Sequence, residues 1–180
     1  FRLIYATIVA FMWAGATLLS GEYFKHHGNT NRFYMFLLWT MGATMAVFLS
    51  ADLVTTFIFF EVMSFTSYVW VAQEENFAAL KAAGTYLAVA VIGGLVMLMG
   101  IMITHHELGT LVISELLSAT EAFQGDRTWI YVARFCMFFG FAAKAGAFPL
   151  HIWLPKAHPV APAPASALLS GILTKTGIFG

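Results

Sequence analysis

"FAAKAGAFPLHIWLP", residues 141–155, sets Lys144 in an apolar stretch about one helical turn before Pro149. An ammonium group in hydrocarbon costs about 2.5–3.5 kcal/mol on insertion scales, so the position demands a polar partner. Proline in a helix interior lacks the donor N–H and clashes with the carbonyl four residues back. Here that carbonyl belongs to Ala145, beside Lys144. In lipid, freed backbone groups persist only when buried in protein or lining a watery cavity. The stretch therefore predicts a membrane helix broken near Pro149, with unpaired carbonyls just before the break turned to water or polar side chains. A proline kink that serves packing alone is the alternative.

Working outward, the chain has 180 residues, 60% hydrophobic and 10% charged, with mean hydropathy +0.80. Soluble domains carry about 25% charged residues, so this chain lacks the polar groups to cover a water-facing surface. It reads as an all-α, polytopic transmembrane helix bundle. Net charge is zero, which gives no reason to expect nucleic acid or an acidic substrate as partner. The single cysteine, Cys136, lies in an apolar segment and reads as a small buried hydrophobe. It supports neither a disulfide framework nor a thiolate metal site. The sequence holds no phosphate-cradling glycine loop, paired metal-ligand spacing or nucleophile elbow. The chain does not begin with Met, and "TKTGIFG" stops inside a helical pattern. Residues 1–180 are therefore expected to be a single transmembrane domain fragment of a longer protein.

A span takes about 20 predominantly apolar residues. About six segments qualify: 3–19, 33–50, 53–72, 82–104, 128–155 with its break, and 161–180. The second and third are separated only by "SAD" and form a tight hairpin. The stretch 105–127 carries Glu107, Glu115, Glu121 and Asp126; within it "GTLVISELLSA" predicts a short amphipathic helix at the interface, through Leu111, Ile113, Leu116 and Leu117. Alternating spans put Lys25, Arg32, Lys81 and Lys156 on one side and Arg2, Arg127 and Arg134 on the other, which favours the first side as cytoplasmic. Trp39, Trp70, Trp129 and Trp153 fall at or near span ends, as an interfacial belt would place them.

Three ionisable residues lie well inside spans: Glu61, Lys144 and Lys175. Arg134 is nearer an end, where its stem can snorkel to the interface. Glu61, in "FIFFEVMSF", has no local cation, and neither lysine has a local anion. The economical arrangement pairs Glu61 with one of the two lysines across a helix interface; the expected partner is Lys144, across the third and fifth spans and within direct or one-water reach. Such a pair serves either as a structural register lock or as a proton or ion pathway. Buried pairs are poor stabilisers, and one acid with two bases leaves a surplus positive charge, which favours the pathway. Lys175 sits among Ser166, Ser170, Gly171 and Thr174. Such small side chains permit close helix approach and leave room for ordered water between the two ammonium groups. His151 and His158 follow the break, either as residues titrating near neutral pH or as interfacial histidines. His26, His27, His105 and His106 read as solvated loop pairs rather than metal ligands.

"FAAKAGAFPLHIWLPKAHPVAPAPASALLSGILTKTGIFG", residues 141–180, resembles the antiporter-like subunit family of respiratory complex I, Mrp-type cation/proton antiporters and energy-converting membrane hydrogenases. The motif elements are Lys144, "PLHIWLP", "APAPAS" and Lys175. "FFEVMSFTSYVWVA" is similar to the family's buried-glutamate helix, and "ELGTLVISEL" to its connecting segment. The sequence is most similar to the membrane-hydrogenase branch. Lys156 departs from the pattern, standing where many members have an acid. The resemblance implies an inverted-repeat antiporter-like fold, of which this chain holds most of the first repeat, in a bacterial or archaeal cytoplasmic membrane. It implies that Glu61 and Lys144 form a coupling pair and that Lys175 is the central proton relay. Lys81, His151 and His158 are secondary pathway candidates.

The implied activity is proton translocation, as a non-redox subunit of an NADH:quinone oxidoreductase or membrane-hydrogenase type complex. No Fe–S ligand set or dinucleotide fingerprint is present, so no cofactor is expected. Expected partners are other membrane subunits of the same family, a peripheral redox arm, the lipid bilayer and protons, with Na+ as the alternative ion. One rival function is an Mrp-type Na+/H+ antiporter subunit driven by an ion gradient. Another is a non-transporting membrane anchor for a redox arm.

Overall fold

Apolar segments in lipid must satisfy their backbone internally, and helices do so within one segment. The computed structural model describes residues 2–26 and 30–179; His27 and the His26 side chain lie outside the described residues. In chain order the helices are α1 (Arg2–Tyr23), α2 (Thr30–Leu49), α3 (Leu53–Val71), α4 (Phe77–Leu108), α5 (Leu116–Ala122) and α6 (Thr128–Ala145). A 3₁₀ turn (Leu150–Trp153) leads into α7 (Leu154–Ala157). The last stretch runs through α8 (Ala163–Leu168), a π turn (Leu169–Leu173) and α9 (Thr174–Phe179). Among the described residues, five stretches are long and apolar enough to cross a membrane: α1, α2, α3, α4 and residues 128–157 across their break. The protein is an integral, multi-pass, all-α membrane protein.

The turns explain the spacing of the helices. Asp52 caps α3, its carboxylate accepting from the Thr55 N–H at 2.8 Å and the Thr55 hydroxyl at 2.7 Å. Asn76 caps α4 by accepting from the Ala79 N–H at 2.8 Å. Gly109, at φ 70°, closes α4 in the left-handed conformation that glycine adopts without a Cβ penalty. On the opposite side of the bundle, Arg32 pairs with Glu75 and donates to the Gln73 carbonyl at 3.1 Å, tying α2 to the α3–α4 turn.

Three expectations change. The fourth helix is longer at both ends than 82–104, so His105 and His106 lie in its last turn rather than in a loop. The stretch after Gly109 is helical only from Leu116. Val112 forms an isolated antiparallel bridge with Asp52 of the α2–α3 turn, through Leu53 N–H to Leu111 O at 3.0 Å and Ile113 N–H to Ala51 O at 2.9 Å, and Ile113 opens the turn that leads into α5. The tryptophan belt is partial. Trp129 is exposed at the start of α6, and Trp39 is exposed in mid-helix. Trp70 and Trp153 are core residues; Trp70 packs against Trp13, ring centroids 5.8 Å apart.

α4 and α6 make the most extensive helix pair. A Cβ on Gly140 would lie 2.7 Å from the Gly93 carbonyl oxygen and 2.5 Å from Met97 Cβ. Real Cβ contacts are never that short, so small residues here let the two backbones touch, as in other membrane helix pairs. That close approach holds the end of α6 against α4.

Candidate functional site

Lys144 is the penultimate residue of α6, about 24 Å along the helix from Thr128, and is only 2% exposed. Its ammonium donates to the Ser64 hydroxyl of α3 at 2.9 Å and to the Tyr86 hydroxyl of α4 at 2.6 Å. It lies 4.9 Å from the Tyr86 ring centroid and 5.9 Å from that of Phe60, within cation–π range. The buried charge is therefore solvated by two hydroxyls and two aromatic rings.

Glu61 lies three residues before Ser64 on α3, so the two share a helix face. The carboxylate occupies a notch in α4 made by Gly94, where a Cβ would overlap Glu61 Oε1. That oxygen is buried and has no hydrogen-bond partner among the described residues. Among the described residues Glu61 and Lys144 do not form a direct ion pair. The ion pairs among the described residues are Lys25–Glu22 and Arg32–Glu75, and His106 Nδ1 contacts Glu107 at 3.2 Å. Of the expected direct or one-water reach, the direct contact is absent, and the ammonium is turned to Ser64 and Tyr86.

The helix break does occur, but it begins before Pro149. Gly146, at φ 72°, ends α6, with its N–H and that of Ala147 reaching back to the carbonyls of Ala143 and Ala142. This is the ordinary glycine-terminated helix end. Pro149, joined to Phe148 by a cis peptide bond, follows in the turn that leads to the 3₁₀ segment. The expected unpaired carbonyls are capped by protein: Trp153 folds back and its indole N–H donates to the Ala143 carbonyl at 3.0 Å. The Trp153 ring also packs on Tyr86, centroids 4.9 Å apart.

Lys175 does not share a pocket with Lys144. It is exposed, and its ammonium curls back to the Ser170 carbonyl at 3.1 Å and the Thr174 hydroxyl at 3.4 Å. Ile172, Leu173, Thr176 and Gly177 take the buried side of that helix, which leaves Lys175 on the outer side. Lys81 is exposed in the second turn of α4, and His151 is exposed with its ring stacked on Phe148. His158 is half-buried, its Nδ1 paired with the Ser166 hydroxyl at 2.8 Å. None of these three joins the Lys144 cluster.

Sequence reasoning missed Ser64, Tyr86 and Gly94. Each left a signal: Ser64 stands one turn from Glu61, Tyr86 is a phenol in an otherwise apolar run, and "GG" at 93–94 interrupts a span. A buried tyrosine hydroxyl usually finds a partner, but which one requires knowing that α3, α4 and α6 converge.

Comparison with known proteins agrees with this architecture. The family described as "NADH:quinone oxidoreductase/Mrp antiporter, TM" matches residues 50–180. The chain belongs to this family. It is 36% identical over 139 residues to hydrogenase-4 component B of Escherichia coli, covering 77% of this chain and 20% of that protein. It is 31% identical over 148 residues to a Na(+)/H(+) antiporter subunit of Alkalihalophilus pseudofirmus, covering 82% of this chain and 30% of that protein. The fold matches that of a protein in the Mrp complex from Dietzia sp. DQ12-45-1b with TM-score 0.90 and 25% identity, over 99% of this chain and 20% of that one. The chain thus has an antiporter-like membrane fold and spans less than a third of the length of these relatives.

Proposed function

We propose that the protein of which this chain is part translocates protons across the membrane, and that Glu61 and Lys144 are the charged groups of the pathway. The observation that carries this is the Lys144 ammonium, buried beside a helix break and held by hydroxyls rather than by a carboxylate. A structural ion pair would bring the two charges into contact, since a buried charge without its counter-ion is costly. Here they are apart, with a buried carboxylate oxygen left unpaired among the described residues. Loading puts a proton on the Lys144 amine; release leaves the neutral amine and a proton on an acceptor beyond it. Lys175, on the outer side of the last helix, serves as the onward carrier. Lys81, His151 and His158 are secondary stations towards the surfaces.

Similarity to hydrogenase-4 component B supports a redox-driven complex in which partner subunits, including a peripheral redox arm, carry out the electron transfer. The similarity to the Alkalihalophilus antiporter protein and to the Mrp complex favours a second reading, exchange of Na+ for H+ driven by an ion gradient. Neighbouring genes distinguish the two readings: hydrogenase or dehydrogenase subunits support the first, a cluster of small antiporter subunits the second.

The test is proton transport by the intact complex in proteoliposomes, comparing wild type with Glu61→Gln and Lys144→Met after confirming assembly. Transport is expected to be lost in both. Normal transport in both would instead support a non-transporting anchor.

A further inference from the structure

The Lys144 ammonium has three N–H donors, and two of them are spent on Ser64 and Tyr86. Each accepting hydroxyl must send its own hydrogen elsewhere. Ser64 donates to the Phe60 carbonyl at 3.0 Å. Tyr86 lies 2.6 Å from the Ser67 hydroxyl, which donates to the Met63 carbonyl at 2.6 Å. Both arms therefore end on backbone carbonyls of α3, which have no proton to pass on. Neither arm is a conduit; both are clamps.

The Tyr86 arm does more than the Ser64 arm. Tyr86 is 1% exposed, and its ring packs on Trp153, whose indole holds the carbonyl of Ala143, the residue before Lys144. One side chain on α4 thus touches both the charged end of Lys144 and the segment that follows the helix break. A movement of that segment reaches the ammonium through Tyr86.

We infer that Tyr86 is a positioning residue: its hydroxyl holds the Lys144 ammonium away from Glu61, and its ring couples that position to the segment after the break. The inference rests on the proposed transport role of Lys144. Tyr86→Phe keeps the ring and its packing on Trp153 while deleting the clamp. Lys144 then loses one hydrogen bond to a charged group, which corresponds to about a tenfold effect or more.

The experiment measures proton transport by the intact complex in proteoliposomes across a pH series, for wild type, Tyr86→Phe and Lys144→Met. The expected result is an assembled Tyr86→Phe complex that transports about tenfold more slowly with a displaced pH profile, while Lys144→Met is inactive. Because Glu61 is the acid that faces Lys144 and Tyr86 supplies the hydroxyl, a change confined to packing would leave that profile in place. A wild-type rate and profile for Tyr86→Phe beside an inactive Lys144→Met overturns the positioning role and leaves the transport reading standing. Wild-type transport by Lys144→Met overturns both. Should Tyr86→Phe not assemble, Ser67→Ala removes the acceptor that orients the phenol. A displaced profile in that variant supports the inference, and an unchanged profile overturns it.

Discussion

Lys144 donates to the Tyr86 hydroxyl at 2.6 Å while Glu61, on the neighbouring helix, keeps a buried carboxylate oxygen with no partner among the described residues. The acid and the base belong to one cluster but are not joined. On the proposed transport role, such a pair would move between the separated arrangement seen here and a joined one. That property is what a coupling device needs and a register lock does not.

The Gly94 notch is the first place to perturb this arrangement. Gly94→Val should push the Glu61 carboxylate out of α4, because even a Cβ there overlaps Oε1. Overpacking of this kind costs about 1–3 kcal/mol. The expected outcome is a lowered melting temperature of the purified complex together with impaired transport. Unchanged values of both would show that the notch does not hold the carboxylate.

Gly140 tests the contact that delivers Lys144 to the cluster. Gly140→Leu should separate α4 from α6, since the Gly93 carbonyl and Met97 already fill the space. Assembly yield, read by detergent size-exclusion chromatography, should fall severely. Gly15, with open space around it, serves as the control: Gly15→Ala should be neutral or slightly stabilising, as alanine favours helix.

Asp52 gives a pH-dependent prediction outside the membrane. The Thr55 N–H and hydroxyl hold its carboxyl below the ordinary value of 3.8. A depressed folded-state value contributes stability that is present above the unfolded value and lost as pH falls through the folded one. Asp52→Ala should cost about 1 kcal/mol, the usual effect of a lost helix cap, at neutral pH. The difference from wild type should shrink as the pH is taken below 3.8. Thermal unfolding of the complex at two pH values checks both statements.

Lys175 tests the onward path. Lys175→Met should abolish or greatly reduce transport while assembly survives, since its side chain is exposed and its ammonium bonds to Ser170 and Thr174 of its own helix. Normal transport stoichiometry in that variant would remove Lys175 from the pathway.

Much of the fold was legible because hydrophobic run length alone defines membrane helices, and "SAD" left no room for anything but a hairpin. Lys144 and Glu61 stood out for the same reason, each a charge in apolar sequence. What the sequence concealed was relational. Pro149 drew attention as the breaker, although Gly146 ends the helix and Trp153, ten residues after Ala143, caps it. The lysine spacing suggested a shared pocket for Lys144 and Lys175, but the helix presents Leu173, Thr176 and Gly177 inward and turns Lys175 outward. Helix rotation across a π turn cannot be counted from residue numbers on a 3.6-residue period.

The most direct test of the central claim is Lys144→Arg. It keeps the positive charge, but a guanidinium does not give up its proton in a protein. Proton transport by the assembled Lys144→Arg complex in proteoliposomes should be absent, matching Lys144→Met. If Lys144→Arg assembles and transports protons at the wild-type rate, the buried charge is structural and the proton does not pass through Lys144.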